Sequence, residues 1–229
     1  MNKSVLNARL LSAAELVRQN ATFADVGTDH AYLPLFLLDN GVIDYAFCCD
    51  INKGPLDSAR RNAEERGRTE QITFVLTDGA ASLAGRGITD YAICGMGGEL
   101  IADIIDRAPH LRDGKINLIL QPMTRQEKLR EYLFSNGFDI ISESYSFDAG
   151  KYYTCLLVSF TGKCREISPL ESVAGSSSSK FYGDGCRRAY LENKMKSYER
   201  AYNGKVDAGI DCAEELCLIN QLKNYINTI

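Results

Sequence analysis

The sequence has 229 residues, of which 45% are hydrophobic and 24% are charged, and its formal net charge is −4. This length predicts one full domain with a small addition, on a prior of roughly 100–200 residues per domain. The slightly acidic balance argues against nucleic-acid binding through overall charge, so any basic surface has to be local. The eight cysteines form no CxxC pair, which argues against a zinc site or a disulfide framework.

Membrane and secretion signals are absent from the sequence. No stretch is apolar for long enough to cross a bilayer, and the N-terminus lacks the apolar core and cleavage site of a signal peptide. We therefore predict a cytoplasmic protein with no membrane partner and no metal site. The sequence does not determine the oligomeric state, and a monomer is compatible with it.

Strand and helix patterns alternate over the first 137 residues. A helical stripe at 5–17 comes before them. A first strand with its turn is predicted at 22–30, and further strands at 45–50, 72–76, 91–94 and 116–120. Helices are predicted at 31–39, 53–66, 99–107 and 125–135. This alternation is typical of an α/β fold with a parallel sheet.

The pattern changes after residue 137. Two apolar runs, 138–147 and 152–160, are joined by only four residues, which permits antiparallel pairing alone. Five βα units followed by such a hairpin predict the seven-stranded mixed sheet of a Rossmann-like class I methyltransferase. Domain boundaries are predicted at 1–163 and 164–229.

The second predicted domain begins with a serine-rich segment, 168–180, that reads as a linker or an exposed loop. Helices at 184–203 and 208–226, separated by Asn203-Gly204, then predict a coiled-coil-like helical hairpin.

The stretch from Thr22 to Pro34 reads TFADVGTDHAYLP, which is a strand, a glycine turn and a helix start. Gly27 is where the backbone turns tightly and a ligand can come close. Asp29 in this turn would repel phosphate, so the turn favours a cofactor with hydroxyls and positive charge, such as S-adenosylmethionine. An ordinary βα turn is the alternative interpretation.

Acids end the next two strands. Asp50 lies 23 residues beyond Gly27, where a carboxylate can accept both hydroxyls of a ribose. Asp78, followed by Gly79, suits the amino group of an adenine. An exposed strand-end acid and a common Asp-Gly turn are the alternatives. A dehydrogenase would share the second-strand acid, but this chain has no GxGxxG.

A glycine-rich run, Gly95-Met96-Gly97-Gly98, follows the fourth predicted strand. Glycines at that point let a flat base approach the backbone. The chain lacks the Asn/Asp-Pro-Pro-aromatic tetrapeptide of enzymes that methylate the exocyclic amine of adenine, so a ring nitrogen is an alternative acceptor. The run could also be a plain turn that opens a helix.

Two side chains after Gly27 are further candidates. Tyr32 could stack on a flipped base or lie in the core. His30 could bind cofactor or substrate, or only satisfy the turn. The candidate catalytic residues are Asp29, Tyr32, Gly95 and Met96.

The first C-terminal helix carries a local excess of basic residues. Between 184 and 205 the sequence has six basic residues and three acids. This excess is the best candidate for a polyanion contact, with a solvated helix face as the alternative. The residues concerned in the contact are Arg187, Arg188, Lys194, Lys196 and Arg200.

Taken together, these motifs resemble the bacterial TrmK family of tRNA (adenine-22-N1)-methyltransferases. The resemblance rests on ADVGTDHAYLP (24–34), GPLDSARRN (54–62), ICGMGGELI (93–101), LILQP (118–122) and LREYLFSNGF (129–138). It implies methyl transfer from S-adenosylmethionine to adenine N1 of tRNA, with the C-terminal hairpin contacting tRNA. The implied cofactor contacts are Gly27, Thr28, Asp29, His30, Asp50, Ile51, Asp78, Gly79, Gly95, Met96 and Gly97.

The sequence departs from many family members at Met123-Thr124-Arg125, where an asparagine commonly follows the proline. Two other functions stay open on the residues alone. One is a class I methyltransferase that acts on a small molecule or a protein. The other is a non-catalytic cofactor-binding module whose hairpin recruits a partner.

Overall fold

A single eight-stranded sheet runs through the computed structural model, which describes residues 6–229 apart from the side chain of Asp184. The strands are β1 (Thr22–Val26), β2 (Tyr45–Asp50), β3 (Ile72–Leu76), β4 (Asp90–Gly97), β5 (Asn117–Thr124), β6 (Phe138–Asp148), β7 (Lys151–Phe160) and β8 (Lys180–Tyr182). The helices are α1 (Ala8–Ala14), α2 (Tyr32–Asp39), α3 (Lys53–Glu65), α4 (Gly98–Asp106), α5 (Gln126–Ser135), α6 (Pro169–Ala174), α7 (Asp184–Asp207) and α8 (Ala213–Ile226).

The strands lie in the order β3-β2-β1-β4-β5-β7-β6-β8. Only β7 runs antiparallel to its neighbours, which are β5 and β6. The predicted mixed sheet of the class I methyltransferase type is therefore confirmed. The predicted number of seven strands is wrong, because β8 adds to the edge of the sheet, parallel to β6. The strand order reverses between β1 and β4, and ligands of open α/β sheets bind at such a switch point.

Helices cover both faces of the sheet, which explains why the inner strands read as unbroken apolar runs. Helices α1, α2 and α3 share one apolar cluster with Phe23 and Cys48, and α4 and α5 share a second with Val26 and Ile93. The predicted first helix at 5–17 is shorter, Ala8–Ala14, and Val5 lies outside the described residues.

The serine-rich segment is not the linker that its composition predicts. Ser168 and Glu171 form a capping box that starts α6, because each side chain accepts a hydrogen bond from the other's backbone N–H. Ser179 Oγ then donates to the carbonyl of Ile140 (2.8 Å) just before β8. The segment is thus built into the edge of the sheet.

The C-terminal helices form the predicted hairpin, but α7 continues through Asn203-Gly204 to Asp207. The predicted break is wrong because one glycine in an exposed helix costs only about 1 kcal/mol. The chain turns instead near Gly209, whose φ is +69°. Tyr145 of β6 packs in one apolar cluster with α7 and α8, so the hairpin lies against the edge of the sheet.

Candidate active site

The glycine turns after β1 and within β4 lie at the carboxyl edge of the sheet, beside the switch point. Strand β4 runs to Gly97 and α4 begins at Gly98, so the first three residues of the GMGG run belong to the end of the strand and do not follow it as predicted. Its pairing with β5 is irregular between Cys94 and Gly97. Gly27 has a φ of +80°, and a Cβ atom there would lie 2.0 Å from Met96 Cε. A side chain is therefore disfavoured at Gly27 by backbone conformation, and the flexible end of Met96 would have to move to make room for it.

A cavity of about 390 Å³ opens between these two turns and α1. Its volume falls in the range of roughly 300–1,000 Å³ that small-molecule sites occupy. Five predicted site residues line it, namely Gly27, Asp29, His30, Tyr32 and Gly95. The lining also contains Arg9 and Asp25, which the sequence analysis did not single out. The predicted acids Asp50 and Asp78 lie outside this lining.

Asp25 is a buried acid in the wall of the cavity, with 7% of its surface exposed. Burial raises its pKa to about 6, although the hydrogen bond from Thr28 Oγ1 to its Oδ2 (2.7 Å) works in the opposite direction. An acid inside an apolar strand is a signal in the sequence that could have identified it. Positive charge on a ligand in this cavity would offset the cost of ionising Asp25.

Asp29, His30 and Tyr32 form the rim of the cavity. The Asp29 side chain is 80% exposed, and its Oδ1 lies 3.5 Å from His30 Nε2. The rings of His30 and Tyr32 stack with centroids 5.1 Å apart. Tyr32 is 46% exposed, so its ring is available for stacking and is not a core side chain.

Asp50 ends β2 and Asp78 lies two residues beyond the end of the neighbouring strand β3, farther along the same edge. Asp50 Oδ1 accepts a hydrogen bond from the backbone N–H of Asn52 (2.7 Å), which fixes the carboxylate. Ile51, 62% exposed, offers apolar surface beside it. Asp78 pairs with Arg107 (2.7 Å), which lowers the pKa of Asp78. A ligand at Asp78 would share that carboxylate with Arg107.

Arg9 and Gln121 join α1 to the glycine run. Arg9 Nη1 donates to Gln121 Oε1 (2.6 Å), and the backbone N–H of Gly95 donates to the same oxygen (3.1 Å). Gln121 is fully buried at the end of β5. This network holds the Gly95 turn in place. Sequence spacing gives no signal for Arg9, because its partner lies 112 residues away.

Two of the five cations predicted to contact RNA are held by other side chains of the protein. Arg187 is only 7% exposed, lies 3.5 Å from the ring centroid of Phe181 and donates to the Tyr225 hydroxyl. Lys194 Nζ pairs with Glu127 Oε1 at 2.5 Å. These contacts attach α7 to α8 and to α5, and they leave both side chains little free surface.

The other three cations face solvent. Arg188 pairs with Glu192 one turn away (3.2 Å). Lys196 and Arg200 are exposed, and Arg200 Nε donates only to the backbone carbonyl of Lys196 (3.2 Å) among the side chains and carbonyls described. An exposed i,i+4 ion pair contributes only about 0.3–0.5 kcal/mol. These three cations are therefore more accessible to a polyanion than Arg187 and Lys194.

The arrangement suits a cationic, adenosine-containing ligand. Two carboxylates face the cavity, glycines allow close approach, and strand-end acids stand where ribose hydroxyls and an adenine amine would lie. Over residues 6–229, no group of three or more His, Cys, Asp or Glu side chains is placed to hold a metal ion. Within the same range, none of the helices is both long and apolar enough to span a membrane.

Comparisons with known proteins identify the family of the chain. A family model described as a methyltransferase domain matches residues 6–156. The tRNA (adenine(22)-N(1))-methyltransferase of Bacillus subtilis (strain 168) is 35% identical over 157 residues, which cover 69% of this chain and 66% of that enzyme.

Solved structures extend the similarity to nearly the whole chain. M. capricolum TrmK, solved with the cofactor product S-adenosyl-homocysteine, has a TM-score of 0.80 at 30% identity. The matched region covers 99% of this chain and 100% of the TrmK chain. A Streptococcus pneumoniae protein solved with S-adenosyl-L-methionine has a TM-score of 0.79 at 30% identity. The matched region covers 93% of this chain and 97% of that protein. The chain therefore belongs to the TrmK family of S-adenosylmethionine-dependent tRNA (adenine-22-N1)-methyltransferases.

Proposed function

We propose that this chain transfers the methyl group of S-adenosylmethionine to N1 of adenine 22 in tRNA. The observation that carries the proposal is the cavity in which Asp25 and Asp29 face the glycine turns at Gly27 and Gly95. Carboxylates there favour a sulfonium and an amino group, and the glycines leave room for a flat base. The acceptor follows from the name of the B. subtilis relative.

The cofactor would lie along the carboxyl edge of the sheet. In this proposal its methionine end contacts the turn after β1, Asp50 accepts the ribose hydroxyls, and Asp78 accepts from the adenine amine. Ile51 would pack on the adenine ring. The full set of proposed contacts is Gly27, Thr28, Asp29, His30, Asp50, Ile51, Asp78, Gly79, Gly95, Met96 and Gly97.

Methyl transfer needs orientation more than a strong base, because the N1 lone pair is free at neutral pH. S-adenosylmethionine supplies the methyl group from its sulfonium centre. Gly95 and Met96 would position the acceptor base, which has to leave its helical stack to expose N1. Tyr32 would stack on that base. Asp29 would offset the charge that the ring gains and accept the proton that then leaves N6.

We also propose a division of labour between residues 1–163, which would carry out methyl transfer, and residues 164–229, which would contact tRNA. The packing of α7 and α8 on β6 supports a fixed relation between the two parts. A tRNA substrate would place the reaction in the cytoplasm.

The test is methyl transfer from labelled S-adenosylmethionine to unmodified bacterial tRNA, followed by nucleoside mass spectrometry. We expect 1-methyladenosine, and no product on a tRNA with guanine at position 22. Cofactor binding without product on any RNA would favour the non-catalytic module. Methylation of proteins or small molecules in place of RNA would favour the other class I alternative.

The role of Asp29 has its own test. We expect Asp29→Asn to lower turnover by about 10²-fold or more, the usual range for a group that handles a proton. Asp57→Asn is the matched control, because Asp57 is an acid on α3 that pairs only with Lys53 among the described side chains. Equal, mild losses in both variants would contradict the proposed role.

A further inference from the structure

A second cavity, of about 510 Å³, lies between α7 and the catalytic part of the chain. Its walls come from the end of β5 and the start of α5, the start of β7, and α7. We call it the interdomain groove and define it by Arg125, Lys151, Tyr152, Tyr198 and Arg200. None of the cofactor contacts proposed above lines it.

The groove is joined directly to the glycine run of the active site. Thr124, at the end of β5, pairs in register with Gly97 of β4. A Cβ atom at Gly98 would lie 2.3 Å from the carbonyl oxygen of Arg125, so the two backbones are in close contact. Arg125 adopts a left-handed conformation with a φ of +56°. Its backbone is therefore held against the glycine run, and its side chain lines the groove.

The charge of the groove is positive. Arg125, Lys151 and Arg200 are exposed, and none of them forms an ion pair with any side chain that the structure describes. Lys194 also lines the groove, but Glu127 neutralises it at 2.5 Å. Three uncompensated cations thus come from three different elements, in a protein whose net charge is −4.

Cations on three different elements suit a chain of phosphates better than a single anion, because each element can contact a different phosphate. Tyr152 and Tyr198 are half-buried in the same groove and add aromatic surface for riboses or bases. A target adenine at Gly95 would place its flanking nucleotides next to Thr124 and Arg125, where the groove begins.

We propose that the interdomain groove binds the phosphate backbone of the substrate RNA beside the target adenine, through Arg125, Lys151 and Arg200. This inference rests on the proposed tRNA methylation and adds to it a surface on the catalytic part of the chain. It also gives a role to Met123-Thr124-Arg125, the segment that departs from the common family sequence. Phosphate contacts of this kind position a nucleic acid and do not read its sequence.

The test compares two variants that each remove two positive charges. Lys151→Gln/Arg200→Gln changes the groove. Lys115→Gln/Lys163→Gln is the control, because both lysines are exposed at the opposite, amino edge of the parallel strands. The measurements are the Kd for unmodified tRNA as a function of salt and the Kd for S-adenosylhomocysteine.

We expect the groove variant to bind tRNA about tenfold more weakly than the control. The slope of log K against log salt should fall in magnitude by about 1.4–1.8, since each of the two lost phosphate contacts contributes about 0.7–0.9. The Kd for S-adenosylhomocysteine should be unchanged, which shows that the fold is intact. Arg125→Gln should lower kcat/KM for tRNA in the same direction.

Groove and control variants with the same tRNA affinity and the same salt slope would overturn the inference while leaving tRNA methylation standing. Wild-type protein that neither binds nor methylates tRNA would instead overturn the proposed function, and the inference with it. Loss of S-adenosylhomocysteine binding in the groove variant would also contradict the inference, because it would assign these cations to the cofactor site or the fold.

Discussion

The active-site cavity and the junction between β6 and the C-terminal helices both contain buried charged side chains, but only the junction pairs its buried charges with each other. At the junction, Arg130 and Glu143 are both fully buried and pair at 2.6 Å. Arg130 also donates to the Ser172 carbonyl (2.9 Å), and the Tyr145 hydroxyl donates to Glu143 (3.0 Å). In the cavity, Asp25 is buried with only the Thr28 hydroxyl bound to its carboxylate among the described groups. The junction pairs a buried cation with a buried anion, although Arg130 Nε and Glu143 Oε1 have no hydrogen-bond partner among the described groups. Asp25 in the cavity has no paired cation among the described side chains.

This difference has a physical meaning. A buried pair with good geometry and additional hydrogen bonds roughly offsets the cost of removing both charges from water. A buried acid without a cation lowers the stability of the folded protein. Charge left uncompensated in a cleft is where a ligand of opposite charge gains most. The cavity is therefore suited to binding a positively charged ligand, and the ion pair at the junction holds two parts of the chain together.

The largest expected effect comes from closing the space behind the glycine run. Gly98→Ala would place a Cβ atom 2.3 Å from the Arg125 carbonyl oxygen, so the backbone of the β5–α5 turn has to move. We expect methyl transfer to fall by about 10²-fold or more, because a displacement of 1 Å near reacting atoms has effects of that size.

Gly54→Ala serves as the matched control, since a Cβ atom there meets no atom within 4 Å. It should leave turnover unchanged. Wild-type turnover in Gly98→Ala would show that the turn does not position the reaction.

The junction can be broken without touching the cavity. Arg130→Met leaves Glu143 buried without its cation, and we expect a loss of about 3–5 kcal/mol in the free energy of unfolding. Chemical denaturation measures it. The cofactor Kd, taken where the variant is folded, should not change.

Lys128→Met is the control, because Lys128 pairs with Glu131 on the exposed surface of α5 and such pairs contribute roughly 0–1 kcal/mol. Arg130→Met/Glu143→Leu should recover part of the loss, since it removes the unpaired charge. Equal losses in the Arg130 and Lys128 variants would contradict the view of the junction as a compensated buried pair.

For the cavity we expect the opposite effect on stability, and a smaller one: removal of the buried charge should stabilise the protein. The pKa of Asp25 is raised by burial to about 6, above its value of about 4 in an unfolded chain. The folded protein then holds a proton that the unfolded chain has lost, so stability without cofactor should fall as pH rises from about 4 to 6 and level off above that.

Asp25→Asn should remove this fall and stabilise the cofactor-free protein at pH 7 by about 2–3 kcal/mol, at the expense of cofactor affinity. Thermal unfolding across that pH range measures the effect. Asp44→Asn, at an exposed acid, should leave the pH profile as it is. A wild-type profile that rises between pH 4 and 6 at this site would show that Asp25 is stabilised as a carboxylate.

Much of the fold could be predicted from the sequence because its strands are buried on both faces and read as apolar runs bounded by glycines. The edge of the sheet could not be predicted, since α6 and β8 depend on hydrogen bonds such as that from Ser179 to the Ile140 carbonyl. The amino-acid composition of the segment does not indicate these bonds. The serine-rich composition suggested a loop, although Ser168 and Glu171 carry the spacing of a capping box. Asn203-Gly204 suggested a turn, but α7 continues through this exposed pair because one glycine costs a helix only about 1 kcal/mol.

Some residues of the candidate site could likewise be predicted from the sequence, and others could not. Local motifs identified Gly27, Asp29 and Gly95, because a strand followed by a glycine turn marks the ligand edge of such sheets. Arg9 could not be identified, since only the folded chain brings it to Gln121. The pairing of Lys194 with Glu127 likewise spans 67 residues, so a basic stretch of sequence did not reveal which cations stay free.

The central claim is that the carboxyl edge from Gly27 to Asp78 holds the cofactor, and a crystal structure of this protein with S-adenosylhomocysteine tests it most directly. We expect the amino acid end of the ligand between Gly27 and Gly95, and the ribose hydroxyls within hydrogen-bond distance of the Asp50 carboxylate. A ligand bound elsewhere, or a ribose that does not contact Asp50, would contradict it.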